Sequence, residues 1–488
     1  MPTPTLLWYD YETTGTDAAV DRPWQFGAQR TTLALEPVGE PINLYCAPQP
    51  DVLPQPEACL ITGLTPQWVR TRGLAEAAFA AAVQAALAQP GTCSVGYNSV
   101  RFDDQVNRYL FYRNFFDPYA HTWARGTSRW DILDLARACH ALRPEGIDWP
   151  RHEDGKPSFR LEDLARANHL EQPHAHDASS DVVATIDLAR LLKQHQPRLY
   201  AWHFAARDKR AVAQRIAAAV GAGEPLVHVS SRYPSERGCL ALVWPVVELK
   251  RSGQAWVVAD LGVDPACWTT LDADNVRDRL YTAVADLPEG VVRPPLKKVR
   301  ANVSPFLAPL KVLRDEDLAR LHVDVDQARE RLAQLRACSG LAERVREVFE
   351  PADAPDRSGG PAKDPELALY DRFVPDVDRA LFDPLHAASP AQLSGWDGRF
   401  SDPRLAELLF RYRARNWPET LSTAEAERWR EQVRARLGGR GPDKALTLAG
   451  YRAEIGRLRA ATPAGGGQAI LDQLQAWGDE VAAAFDVD

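Results

Sequence analysis

Leu6-Leu7-Trp8-Tyr9-Asp10-Tyr11-Glu12-Thr13-Thr14-Gly15 runs from four apolar or aromatic residues into two acids set one residue apart. A short apolar run of this kind suits a buried strand. Alternate residues on a strand face the same side, so Asp10 and Glu12 point together toward one cation. Alone the pair is weak, because Asp-x-Glu arises by chance about twice in a chain this acidic. A solvated strand end explains a lone pair equally well. Its weight comes from what lies further along.

Two more segments carry acids at the edge of an expected element. Gly96-Tyr97-Asn98-Ser99-Val100-Arg101-Phe102-Asp103-Asp104 leads from a buried strand over Cys93 to Tyr97 into a helix over Asp103 to Tyr112. Taken singly, Asp103 reads as a helix cap or first-turn charge. His176-Asp177-Ala178-Ser179-Ser180-Asp181 opens a helix whose apolar face is Val182, Val183, Ile186 and Leu191. Asp181 lies about one turn into it, and His176 stands just before it. Together the segments supply four carboxylates and a histidine. Hard divalent cations take oxygen ligands. Two of them about 3.5–4 Å apart stabilise the attacking and leaving oxygens of a phosphodiester. A neutral histidine nearby takes the proton of the attacking water.

Around these segments, residues 1 to 195 alternate strand and helix signals. Strands are expected over Gln25 to Leu35 and Pro41 to Tyr45, and helices over Leu74 to Ala88, Arg129 to Leu142, Arg160 to Asn168 and Asp177 to Gln194. That order indicates an α/β sheet covered by helices. Leu226 to Val229, Cys239 to Val247 and Ala255 to Leu261 are short β-rich runs of a small antiparallel sheet or barrel. Helices follow over Asp315 to His322 and Val325 to Val348. Pro351 to Asp364 reads as a linker. Beyond it the chain is helical, with an Asp402-Pro403 helix start and a Ser422-x-x-Glu425 capping box. Domains are thus expected over 1–195, 197–350 and 353–488.

With 488 residues, two or three domains are expected. Charged residues make up 25% and net charge is −8, so any nucleic-acid groove must be locally positive. Seven scattered cysteines without a CxxC pair argue against a zinc site and suit a reducing compartment. No signal core and no apolar run of membrane length are present, so the expected location is the cytoplasm, away from membranes.

Asp10-x-Glu12-Thr-x-Gly15, Asn98-x-x-x-Phe102-Asp103 and His176-x-Ala178-x-x-Asp181 resemble the three motifs of the DEDDh exonuclease superfamily. Asp21-Arg22-Pro23-x-Gln25-Phe26, Leu60-Ile61-Thr62-Gly63, Tyr112-Arg113-Asn114-Phe115, Arg143-Pro144-Glu145-Gly146-Ile147 and Arg411-Tyr412-Arg413-Ala414-Arg415-Asn416 resemble bacterial exonuclease I over nearly the whole chain. The resemblance implies a ribonuclease H-like exonuclease domain, an SH3-like β domain and an all-helical C-terminal domain. It implies 3′→5′ hydrolysis of single-stranded DNA to 5′-mononucleotides, in DNA repair and recombination. Two magnesium ions per site are implied, with manganese as a substitute. By the same resemblance Asp10, Glu12 and Asp181 hold one metal, Asp10 bridges to a second near Asp103, and His176 is the base. Glu12 also approaches the terminal 3′-hydroxyl. A monomer is implied, as is a partner, the acidic C-terminal tail of the single-stranded DNA-binding protein. Over Pro295 to Pro305 the chain departs from the family: Val303-Ser304 replaces the usual Lys-Cys, while Lys297, Lys298 and Arg300 stay basic.

Single strands are gripped by phosphate contacts and by stacking on rings. Arg108 to Trp130 interleaves arginines with aromatics, and the resemblance favours Arg108, Tyr119, Trp123, Arg137 and Arg160 as contacts. Many of these aromatics read equally well as core. Arg293 to Arg300 and Arg411 to Arg415 are further positive stretches that could extend a groove. Two other functions fit some of these features: an RNA-trimming or proofreading exonuclease of the same superfamily, and a nonenzymatic single-strand-binding protein. The large C-terminal half weighs against the first, and the complete set of five motif residues against the second.

Overall fold

The computed structural model describes residues 3–171, 175–251, 253–351, 363–442, 444–462 and 465–487. The chain forms two compact units: Met1–Ser128, Gln172–Val183 and Asp356–Asp488 make one, Arg129–Glu171 and Ala184–Pro355 the other.

In the first unit, β1 (Thr5–Thr13), β2 (Pro23–Thr31), β3 (Ile42–Tyr45) and β4 (Thr92–Gly96) lie in the order β3-β2-β1-β4. β1 is antiparallel to β2 and parallel to β4. Leu7, Tyr9 and Tyr11 of β1 pack with Phe79 and Val83 of α1 (Glu76–Leu87) and with Leu110 and Phe111 of α2 (Asp103–Arg113). The strand's two-residue period then turns Asp10 and Glu12 to the opposite face. The second segment of the unit, Gln172–Val183, supplies the start of α3 (Ala178–His195).

The C-terminal helices complete this unit's core. Phe410 of α4 (Pro403–Asn416), Leu448 and Tyr451 of α5 (Leu448–Ala461) and Leu474 of α6 (Gly466–Phe485) cluster with Trp24, Leu53, Cys59 and Val69. Tyr112 and Phe115 pack with Phe382, Leu405 and Tyr412. Asp402 caps α4 by accepting from the Arg404 N–H, with Pro403 in the first turn, and Ser422 and Glu425 form a capping box.

The basic stretch Arg411 to Arg415 does not extend a groove. Arg415 pairs with Asp51 at 2.7 Å and Glu366 at 2.6 Å, all three nearly fully buried. Arg411 pairs with Asp364 at 2.9 Å, and Arg413 with Glu425 at 2.6 Å. Arginines this far from water need carboxylates, and these have them within the unit.

The second unit holds a five-stranded antiparallel sheet: β6 (Leu226–Val229), β7 (Leu240–Leu249), β8 (Ala255–Asp260), β9 (Leu296–Arg300) and β10 (Phe306–Pro309), ordered β10-β6-β7-β8-β9. Val212 and Ile216 of the helix Lys209–Ala222 pack on Val243, Trp256 and Leu307. Three differences from the sequence reading stand out. The helix expected from Arg129 begins at Leu133, after the strand β5 (Ser128–Asp131). The expected helix over Val325 to Val348 is two, Val325–Ala337 and Leu341–Phe349, parted by Gly340 with φ 69°. β9 comes from the stretch read only as basic, and β10 follows it from residues given no element.

The expected linker, apart from its ends, lies outside the described residues. Among the described residues no helix is long and apolar enough to cross a membrane, and all seven cysteines are free thiols.

Candidate active site

Asp10 and Glu12, on the face of β1 turned away from α1 and α2, meet Asp181 from the first turn of α3. One carboxylate oxygen from each lies within 4.8 Å of the others. Asp103, the first residue of α2, accepts the backbone N–H of Tyr11 at 3.2 Å, which fixes it to the residue between the two acids. α2 is held there by two further bonds. The Tyr9 hydroxyl donates to Asp104 at 2.8 Å, and the Tyr11 hydroxyl to Asn107 at 2.7 Å.

The cost of gathering these acids shows in their protonation. Burial first, then the charges of Asp103, Glu12 and Asp181, push the Asp10 carboxyl well above the usual range. Glu12 is pushed up to about 8 by burial and by Asp181 and Asp103. Four mutually repelling carboxylates are relieved by a divalent cation, and an all-oxygen donor set suits a hard one. The residues present therefore fit a metal.

α3 is brought to this face by two residues of β2. Gln25 pairs with Glu12 and Gly27 with Asp10 across the ladder, so all four lie on one face. A Cβ on Gly27 would stand 2.5 Å from the Ala178 carbonyl carbon. Only glycine lets the helix start come so close. Gln25, fully buried, donates to the Asp177 carboxylate at 2.8 Å and accepts from the Ala178 N–H at 3.3 Å. Asp177 in turn caps the helix through the Ser180 N–H at 3.1 Å. His176 lies in the turn before α3, exposed, with φ 63°. It is not one of the residues whose ligand atoms are grouped above.

Of the expected nucleic-acid contacts, three lie in the first unit. The Arg108 guanidinium lies 5.3 Å from the Tyr119 ring centre and donates to the Tyr370 hydroxyl at 3.1 Å. Tyr119 meets the ring of Phe373 at 6.0 Å. Trp123 is 67% exposed and Phe373 79%. Tyr370 and Phe373, from the C-terminal segment, escaped the sequence reading because no local pattern ties them to Arg108 and Tyr119. The plainer reading holds for Tyr112, Phe115 and Trp130, which are core.

Arg137 and Arg160 lie in the second unit and line a cleft of about 460 Å³ with His152, Lys156, Phe159 and Tyr233. Arg137 is tied to Asp134 at 2.7 Å under the Phe159 ring, whereas Arg160 is largely exposed. In β9 the two lysines alternate. Lys297 lies 3.5 Å from the Tyr233 ring, its ammonium lowered to about 8 by burial, and Lys298 lies against Phe349. Ser304, at the altered family position, is buried in a left-handed turn; its carbonyl accepts from His203 and its hydroxyl donates to the Arg129 carbonyl. That turn is scaffold.

Three family models match the chain in succession: Exonuclease over residues 7–189, Exonuclease I SH3-like domain over 207–351 and Exonuclease I C-terminal domain over 363–481. With the carboxylate cluster, they define an exonuclease of the DEDDh superfamily, with a ribonuclease H-like catalytic domain followed by SH3-like and helical domains. Exodeoxyribonuclease I of Escherichia coli is 45% identical over 430 residues, covering 88% of this chain and 89% of its own. Exonuclease I of Methylocaldum szegediense superposes with a TM-score of 0.92 at 45% identity, covering 98% of this chain and 99% of that one. A zinc-bound complex of E. coli exonuclease I with single-stranded DNA superposes at 0.91 and 42% identity, covering 98% and 100%. The chain belongs to the exonuclease I family.

Proposed function

We propose that this protein is a divalent-metal-dependent 3′→5′ exodeoxyribonuclease that shortens single-stranded DNA to 5′-mononucleotides. The observation that carries it is the group Asp10, Glu12 and Asp181, with oxygens within 4.8 Å of one another and Asp103 anchored beside them. Asp10, Glu12 and Asp181 would hold one magnesium, and Asp10 with Asp103 would hold a second; manganese would substitute. When bound, such cations would supply activation of the attacking water and neutralisation of charge developing on the phosphate oxygens. His176 takes the proton of that water as oxygen bonds to phosphorus and the P–O3′ bond breaks. Its exposed turn leaves the ring accessible to substrate. Glu12 also orients the terminal 3′-hydroxyl.

Each unit contributes its own grip. Tyr119 and Trp123 offer rings for base stacking, and Arg108, Arg137 and Arg160 take phosphates. The exonuclease, SH3-like and helical domains span 1–195, 197–350 and 353–488. The protein acts as a monomer in DNA repair and recombination and binds the acidic C-terminal tail of the single-stranded DNA-binding protein.

The test compares digestion of a 3′-labelled single strand, the matching duplex and the matching RNA, with magnesium and with excess EDTA. Mononucleotide release from the DNA single strand alone, abolished by EDTA, is expected. Activity that persists in EDTA, or a preference for RNA, overturns the reading.

A further inference from the structure

The segment Asp21-Arg22-Pro23-Trp24-Gln25-Phe26 has no chemical role in the mechanism above, yet its glutamine is fully buried beside the metal ligands. We infer that Gln25 is a positioning residue that sets the start of α3, and through it Asp181 and His176, against Asp10 and Glu12. The inference rests on the exonuclease reading of this site.

The geometry is specific to an amide. Gln25 Nε2 donates to Asp177 Oδ2 at 2.8 Å, and Gln25 Oε1 accepts from the Ala178 N–H at 3.3 Å. One side chain thus presents a donor to a carboxylate and an acceptor to a helix N–H, just before the turn that carries a metal ligand. The amide is itself aimed from β3, where Asn43 Oδ1 at 3.1 Å and the Tyr45 hydroxyl at 3.2 Å lie around the same nitrogen. Asp177 passes the constraint on by capping the Ser180 N–H. No hydrophobic side chain could do this, because the Ala178 N–H and the Asp177 carboxylate would lose buried partners. Gln25 acts on the metal site through the backbone of α3.

The donor–acceptor polarity gives a reciprocal test. In Gln25→Glu an oxygen replaces the donor, and two carboxylates face each other. In Asp177→Asn two amide donors can face each other. The double variant restores a donor opposite an acceptor with the net charge unchanged. The amide introduced at position 177 donates to the carboxylate introduced at position 25. The amide oxygen still caps the Ser180 N–H, and the new carboxylate still accepts from the Ala178 N–H.

The experiment measures kcat and KM of the full chain on a short single-stranded DNA oligonucleotide with magnesium, together with Tm. Gln25→Glu is expected to lose about 100-fold in kcat, the cost of an ångström-scale misplacement, with KM changed by less than about threefold. The double variant is expected to regain at least about tenfold of that loss. Gln25→Ala, which adds no charge, is the second single variant and is also expected to lose kcat. Wild-type kcat in Gln25→Glu or in Gln25→Ala overturns the inference. So does a double variant no faster than Gln25→Glu, because a residue needed only for stability gains nothing from the polarity swap. Asp10→Asn in the same assay reports on the underlying reading: its full activity would sink the metal site itself, whatever Gln25 does.

Discussion

Gly27→Ala adds one methyl group where the structure has no room for it. Gly27 lies opposite Asp10 in the ladder, and its added Cβ would sit 2.5 Å from the Ala178 carbonyl carbon, 2.6 Å from its oxygen and 2.6 Å from the Ser179 nitrogen. All three are backbone atoms at the start of α3, so no side chain can rotate away. Ordinary contact begins at 3.4 Å, so the helix start must retreat by 3.4 − 2.5, about 0.9 Å. Asp181 rides on that helix one turn later, and its oxygen lies within 4.8 Å of those of Asp10 and Glu12. A shift approaching 1 Å at reacting groups costs about 100-fold in rate. Overpacking a methyl costs about 1–3 kcal/mol, which lowers Tm by about 2–4 °C for each kcal/mol in a unit of this size. The expected result is a folded enzyme with a modest loss of Tm and a hundredfold loss of kcat on a single-stranded oligonucleotide. Gly221→Ala is the control: a Cβ there meets nothing within 4 Å, and kcat is expected to hold. Wild-type kcat in Gly27→Ala would refute the argument that close approach of α3 to β2 sets the metal site.

Asp10→Ala is expected to keep its fold and lose several powers of ten in rate, measured by nucleotide release at saturating magnesium, because it removes the ligand proposed to be shared by both metals. His176→Ala is expected to lose about 10²- to 10⁴-fold in kcat while oligonucleotide affinity in calcium stays near wild type; an unchanged kcat assigns the base elsewhere. A fragment ending at residue 195 carries every proposed catalytic group, yet it is expected to aggregate, since Trp24, Leu53, Cys59, Val69, Tyr112 and Phe115 lose the C-terminal helices that cover them; a monomeric, cooperatively melting fragment would contradict this. Asp51 gives a pH dependence of stability: burial alone would raise its carboxyl, but Arg415 and Arg436 outweigh it and hold it at about 2. A depressed carboxylate stabilises fully above its unfolded value, about 3.9, and that stability is lost as pH falls toward 2. About 2 kcal/mol should therefore disappear between pH 4 and 2 in denaturant titrations, and Asp51→Asn, already destabilised at neutral pH, should lack that component.

The sequence by itself determined whatever depends on neighbours in the chain. The apolar run ending at Asp10 is a strand because it is short and dense. Asp402-Pro403 and Ser422-x-x-Glu425 start helices because a cap needs only its own first turn. The motif acids were legible because their chemistry marks them and each occupies the edge of such an element. Tertiary structure decided the rest. β5 carries Arg129 and Trp130 as a strand, although the stretch reads as the opening of the helix that follows. β9 looked like a basic patch, and only its place beside β8 shows Lys297 and Lys298 pointing to opposite faces. Arg411, Arg413 and Arg415 looked like a positive surface, yet each is taken by an acid 12 to 364 residues away, which charge counting cannot foresee. Gln25 was visible only as the start of an expected strand and as part of a resemblance. Its function lies in two hydrogen bonds to residues about 150 positions later, and such bonds exist only once folding has closed that loop.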